Sequence, residues 1–135
     1  MIRTVLDTNV LVSAVISPTG PSAQLLELVV ADQIRPYVTN AVIEEYDRVF
    51  DYERLKHLDH RRVAVVSRLL KNTAITVKSP GRLRLSEDEA DNRSYECALA
   101  AKAHYIVTGN TKDFPLGHKY TKIVTARQLL RLLEK

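Results

Sequence analysis

The chain has 135 residues, 45% hydrophobic and 27% charged, a balance and size that allow one domain over residues 1–135 to bury a core without disulfides or metal staples. The single cysteine, Cys97, excludes an internal disulfide and fits a reducing compartment. Apolar runs far short of the ~20 residues that span a bilayer, and an opening without the basic and apolar regions of a signal peptide, lead us to expect a cytoplasmic protein with no membrane partner.

In chain order, Ile2 to Leu6 is a short β-branched run that reads as a buried strand ending at Asp7. Asn9 to Ile16 reads as a first helix, and Ser17-Pro18-Thr19-Gly20-Pro21 breaks it. From Ser22 to Asp32, the apolar positions Ala23, Leu25, Leu26, Val29 and Val30 have helical spacing. Arg35 to Val38 is a second strand, and Thr39 is an N-cap for a helix to about Phe50. Arg61 to Lys71 is a further helix, Ala74 to Val77 a third strand, and Ser79-Pro80-Gly81 a turn. Ser86 with Glu89 matches a capping box opening a helix to about Ala103. His104 to Thr108 is a fourth strand, stopped by Gly109. A polar loop follows to about Tyr120, then a fifth strand from Lys122 to Val124, and Thr125 caps a last amphipathic helix. Strands alternating with helices predict an α/β fold: a three-layer α/β/α sandwich around a parallel sheet of about four to five strands. In such sheets the functional crevice lies outside the strands' carboxyl ends, which here means Asp7, Thr39 and the stretch from Thr108 to Asp113.

Charge is segregated along the chain. Net charge is +4 and the pI about 9.3, and the stretch from Arg54 to Arg84 holds nine Lys or Arg against one acid, Asp59. Acids gather from Glu44 to Glu53 and from Glu87 to Glu96. Cationic side chains that hold phosphates, beside carboxylates that hold a cation, suit an enzyme acting on nucleic acid; solvated helix faces give the same pattern. Taken singly, Asp7 serves equally as an N-cap, Asp88 and Asp91 as first-turn acids favoured by the helix dipole, and Glu44 and Glu45 as a solvent-facing pair. Together, these acids lie at or beyond strand ends and can converge. Clustered carboxylates repel one another unless a cation sits among them, and an all-oxygen set favours Mg²⁺ or Mn²⁺ over zinc. His57, His60, His104 and His118 lack metal-ligand spacing, and His57 and His60 read as surface residues. There is no Gly-rich phosphate loop, no Gly-x-Ser-x-Gly elbow, and Cys97 sits in an Ala-rich stretch that reads as core.

The segment Val5-Leu6-Asp7-Thr8-Asn9-Val10-Leu11-Val12-Ser13-Ala14 resembles the opening of PIN-domain proteins, nearest the VapC-type toxins of toxin–antitoxin systems. Glu44-Glu45-Tyr46-Asp47-Arg48-Val49 is similar to the central motif of that branch. Asp88-Glu89-Ala90-Asp91-Asn92 with Glu96-Cys97-Ala98-Leu99-Ala100-Ala101 is similar to its third motif, and Tyr105-Ile106-Val107-Thr108-Gly109-Asn110 with Asp113-Phe114 to its fourth. The four matches come in order and cover nearly the whole chain.

The resemblance implies a Mg²⁺- or Mn²⁺-dependent ribonuclease that is a homodimer with a cognate antitoxin. By position, Asp7, Glu45 and Asp91 are its metal-site acids, with Thr8 and Thr108 as polar supports. Many relatives have Asp directly after Thr-Gly; this chain has Asn110, with Asp113 three residues on, so Asn110 and Asp113 stand as alternatives for the fourth contact. The implied chemistry is hydrolysis by a metal-activated water, oriented by Asp113 or Glu45, with the 54–84 cations along the RNA backbone. The alternative is a PIN-like RNA-binding or regulatory protein with little nuclease activity; the acids at 7, 45 and 91 count against it. Helical geometry separates the two adjacent glutamates. Measured from the middle of the apolar stripe Val42, Ile43, Tyr46, Val49 and Phe50, Glu45 falls roughly 100° away and Glu44 roughly 160°. Glu45 is therefore expected at the edge of the buried face and Glu44 in solvent.

Overall fold

The structure, a computed structural model, describes residues 1–51, 57–79, 89–109, 111 and 121–134, with the backbone alone for 89–91. In chain order the elements are β1 (Ile2–Leu6), α1 (Thr8–Ile16), α2 (Pro21–Val30), β2 (Ile34–Val38), α3 (Asn40–Phe50), α4 (His60–Thr73), β3 (Ile75–Thr76), α5 (Glu89–Ala101), β4 (Tyr105–Val107), β5 (Lys122–Val124) and α6 (Ala126–Leu133). Local chemistry sets the helix starts. The Thr39 hydroxyl accepts from the Val42 N–H, and Thr125 and Gln128 form a capping box. The Asp59 carboxylate accepts from the Arg61 and Arg62 N–H groups. Each such cap contributes about 1 kcal/mol.

The strands form one parallel sheet in the order β3-β2-β1-β4-β5. The chain steps one way from β1 to β2 to β3, then crosses back to β4 on the other side of β1. Parallel crossovers keep a single hand, so the reversal sends α5 to the opposite face from α1, α2 and α4, while α3 touches both α1 and α5. The packing agrees: α5 lies against β1, β2 and β4, while α1, α2 and α4 contact one another and α2 touches α6. The result is the three-layer α/β/α sandwich that the alternation of elements predicts. Thr4, Val5 and Leu6 are all buried on the central strand, as a sheet covered on both faces requires. Tyr95, Cys97 and Ala98 fill one side of the core, and Leu11, Leu25, Leu70 and Leu129 come from the other helices.

Most boundaries shift by a residue or two from expectation, and three of the differences matter to the packing. The second helix stops at Val30 rather than Asp32, because Asp32 takes a left-handed φ of 63°, and its carboxylate accepts from Arg35 Nη2 at 2.7 Å. The helix expected to reach Ala103 ends at Ala101, just before Lys102 at φ 51°. The third strand shrinks to Ile75 and Thr76, which among the described residues is a sheet edge paired only with β2. The expected turn residues Pro80 and Gly81 and the Ser86 cap lie outside the described residues.

Candidate active site

The strand order reverses at β1, between β2 and β4, and in open α/β sheets such a switch point opens a crevice at the carboxyl ends. Leu6 pairs with Val107, so β1 and β4 end level and deliver Asp7 and Thr108 side by side. The Asp7 N–H donates to the Val107 carbonyl at 2.8 Å. The Asp7 carboxylate is half-buried and held at both oxygens: Oδ1 caps α1 by accepting from the Thr8 N–H at 2.9 Å, and Oδ2 accepts from the Thr108 hydroxyl at 2.8 Å. Thr8 and Thr108 are themselves buried.

Asn9 closes the same corner. Its Oδ1 accepts from the Gly109 N–H at 2.8 Å, and its Nδ2 lies 3.4 Å from the Thr108 hydroxyl. A Cβ at Gly109 would stand 3.3 Å from Asn9 Oδ1, so the close approach of the two chains suits glycine here.

Helix α3 is anchored on the residue that precedes Asp7. The Tyr46 hydroxyl donates to the Leu6 carbonyl at 2.5 Å, and burial, then the neighbouring Cys97 and Asp7, push its pKa well above the ordinary value. With Tyr46 turned into the core, Glu45 sits at the margin with 23% of its side chain exposed, and Glu44 lies in solvent, as the stripe geometry predicts. Glu45 Oε2 accepts from Arg48 at 3.0 Å. Arg48 is largely exposed, so this pair is worth at most about 1 kcal/mol and yields readily.

Helix α5 approaches the same edge from the other face. The Ala103 N–H closes on the Ala98 carbonyl and the His104 N–H on Arg3, which sets the end of α5 at the amino edge of the sheet. Its beginning therefore points toward the carboxyl edge. Cys97 bonds the Thr39 backbone just past β2; burial lifts its thiol to about 12, so it is an inert core residue. Asp91 lies six residues earlier on the helix, roughly 9 Å further along the axis; its side chain is outside the described residues, as are Asn110 and Asp113.

Among the described residues, no group of three His, Cys, Asp or Glu side chains could hold a metal ion. Two cations of the basic stretch serve the fold: Arg62 donates to the Ala14 carbonyl at 2.9 Å, and Lys71 pairs with Asp47 at 3.3 Å. Arg61 and Arg68 on α4 are exposed, as are His57 and His60. Glu96 is not a surface acid. It is buried and accepts from Arg93 at 2.8 Å, with 17% of the Arg93 side chain and 6% of its own exposed.

Asn9 carries no signal in the sequence, because an amide in a helix's first turn has no distinctive pattern. Its partners lie about a hundred positions away, and only the pairing of β1 with β4 brings them together.

A family model described as PIN domain matches residues 3–112. An uncharacterized protein of Methanocaldococcus jannaschii is 23% identical over 145 aligned positions, which cover 99% of this chain and 93% of that relative. With that match spanning the sheet's switch point and the carboxylate fixed there, the chain belongs to the PIN domain family.

Proposed function

We propose that this chain is a metal-dependent endoribonuclease that hydrolyses RNA phosphodiester bonds, and that it is the toxin of a toxin–antitoxin pair. PIN domains are generally nucleases that use divalent metal ions. The observation that carries the reading is Asp7, a carboxylate fixed through both oxygens at the switch point of a parallel sheet.

The donor chemistry fits Mg²⁺ or Mn²⁺. Asp7 and Glu45 offer hard carboxylate oxygens, and Mg²⁺ is commonly held by one or two carboxylates with waters and substrate phosphate completing its shell. In this reading Asp7, Glu45 and Asp91 hold the cation, with Asn110 or Asp113 as the fourth contact. When bound, the cation supplies a water of lowered pKa and offsets charge on the phosphate.

The chain's own residues prepare that site. Thr8 and Thr108 keep the Asp7 carboxylate in one orientation, and Tyr46 fixes the rotation of α3 so that Glu45 stays at the core margin. Arg61 and Arg68 are cations available to RNA phosphates. The exposed apolar Val30 and Val65 line a groove between α2 and α4, a surface suited to the antitoxin or to a second copy in a homodimer. No helix among the described residues is long and apolar enough to cross a membrane.

Incubation of the purified chain with single-stranded RNA is expected to give internal cleavage with Mg²⁺ or Mn²⁺ and none with EDTA. Cleavage indifferent to EDTA would overturn the metal mechanism, and RNA binding without cleavage would favour a regulatory role. The adjacent glutamates provide an internal control. Glu45→Gln is expected to reduce kcat by two orders of magnitude or more and to weaken Mn²⁺ binding, whereas Glu44→Gln leaves both within about twofold. This follows from outer-shell partners alone being worth roughly 10–100-fold. The reverse ranking would take Glu45 out of the metal site.

A further inference from the structure

We infer that Asn9 is a positioning residue for Asp7, acting through the hydroxyl of Thr108; its catalytic consequence rests on the nuclease reading, its structural consequence does not. The hydrogen-bond directions follow from which groups can only donate. The Gly109 N–H is a donor, so the Asn9 atom 2.8 Å from it is the carbonyl oxygen. The other end of the amide, Nδ2, therefore faces the Thr108 hydroxyl at 3.4 Å. Nδ2 can only donate, so Thr108 accepts on that side. The single Thr108 proton is then directed at Asp7 Oδ2, 2.8 Å away.

The four groups form one directed series: the Gly109 amide sets the Asn9 flip, Asn9 sets the Thr108 rotor, and Thr108 holds one oxygen of Asp7. The other oxygen of Asp7 is fixed independently by the Thr8 N–H at 2.9 Å. Without Asn9, the Thr108 hydroxyl loses a donor that biases its rotation, and the Asp7 carboxylate is held less firmly on that side. Asn9 itself is exposed. An exposed amide in a first helical turn ordinarily faces water, whereas here both of its ends are engaged with the segment that follows β4.

A double-mutant cycle on Asn9→Ala and Thr108→Val tests the series, because residues that act through one another are non-additive. The first readout needs neither metal nor RNA: the side-chain carboxyl ¹³C resonance of Asp7, assigned by its loss in Asp7→Asn. It is expected to move in Asn9→Ala, and Asn9→Ala is expected to move it no further once Thr108 is already Val. The second readout is RNA cleavage, where Asn9→Ala is expected to lower kcat by roughly 10–100-fold, the range for residues that orient a metal ligand, with KM within about twofold. An unmoved Asp7 resonance in Asn9→Ala would overturn the inference. An equal displacement in both backgrounds would overturn it as well, by showing that Asn9 does not act through Thr108. If the resonance behaves as expected while the wild-type chain cleaves no RNA, the nuclease reading fails and the positioning role stands.

Discussion

Replacing Asp7 by asparagine is expected to lower RNA cleavage by at least about 100-fold while leaving the fold intact. Residues that merely orient a metal ligand are worth roughly 10–100-fold in affinity or activity, and a direct ligand loses more. The fold survives because asparagine is as good an N-cap as aspartate, so the Thr8 N–H keeps its acceptor. Removing one negative charge from a carboxylate cluster ordinarily raises stability, but here the charged oxygen also accepts from the Thr108 hydroxyl at 2.8 Å. An amide nitrogen in its place forces that hydroxyl to turn. The two effects oppose each other, and the change in stability should stay within about 1 kcal/mol, the net worth of one hydrogen bond. Cleavage assays with paired thermal melts check both halves. Retained activity in a well-folded Asp7→Asn would remove Asp7 from the catalytic role; a collapse in melting temperature would show that the carboxylate is structural.

Glu96→Ala is expected to be the most destabilising single change outside the apolar core. Glu96 and Arg93 are almost fully enclosed and meet at 2.8 Å. Removing one partner of a buried pair costs about 3–5 kcal/mol, because the other charge loses its nearest counter-charge in a poor solvent. Against a typical total of about 5–15 kcal/mol, that is a large share, and the melting temperature should fall by roughly 10 °C or more. The pair as a whole is a different matter, since replacing both partners with apolar residues of similar volume is often neutral or stabilising. Arg93→Met combined with Glu96→Leu should therefore recover most of what Glu96→Ala loses. Chemical denaturation of the single and double variants decides it. A loss under about 1 kcal/mol for Glu96→Ala would mean that water or another partner compensates Arg93.

The arrangement of strands and helices was legible because each strand is a short β-branched run and several helices start at a side chain with an obvious capping role. Thr39 and Thr125 cap as the pattern indicates. Asp59 does so too, but the sequence pattern places the start of that helix at Arg61, because His60 and Asp59 look like any polar pair. Two helix ends were misjudged for one reason. Asp32 and Lys102 adopt left-handed backbone without being glycine, so composition carries no stop signal there. The separation of Glu44 from Glu45 was legible, since it depends only on helical rotation and on one apolar stripe. The burial of Glu96 was not. Arg93 and Glu96, three residues apart, have the spacing of an ordinary exposed helical pair, and their burial depends on tertiary packing: α5 lies against three strands and α3. Asn9 belongs with Glu96: its importance lies in contacts that chain distance hides.

That chain distance has a consequence for synthesis. Two of the bonds that hold Asp7 and Asn9 at the crevice come from Thr108 and Gly109, with sequence separations of 101 and 100 residues. A ribosome adds about 5–20 residues per second, so Asp7 exists for several seconds before its partners are made. Contacts that close so long a loop also come late in folding, because the entropy of closure must be met before they form. A nascent chain that lacks β4 lacks the Thr108 bond to this carboxylate, however well its amino-terminal half is folded. If the chain cleaves RNA, that dependence keeps an unfinished copy from acting on the transcript and ribosome that are still producing it.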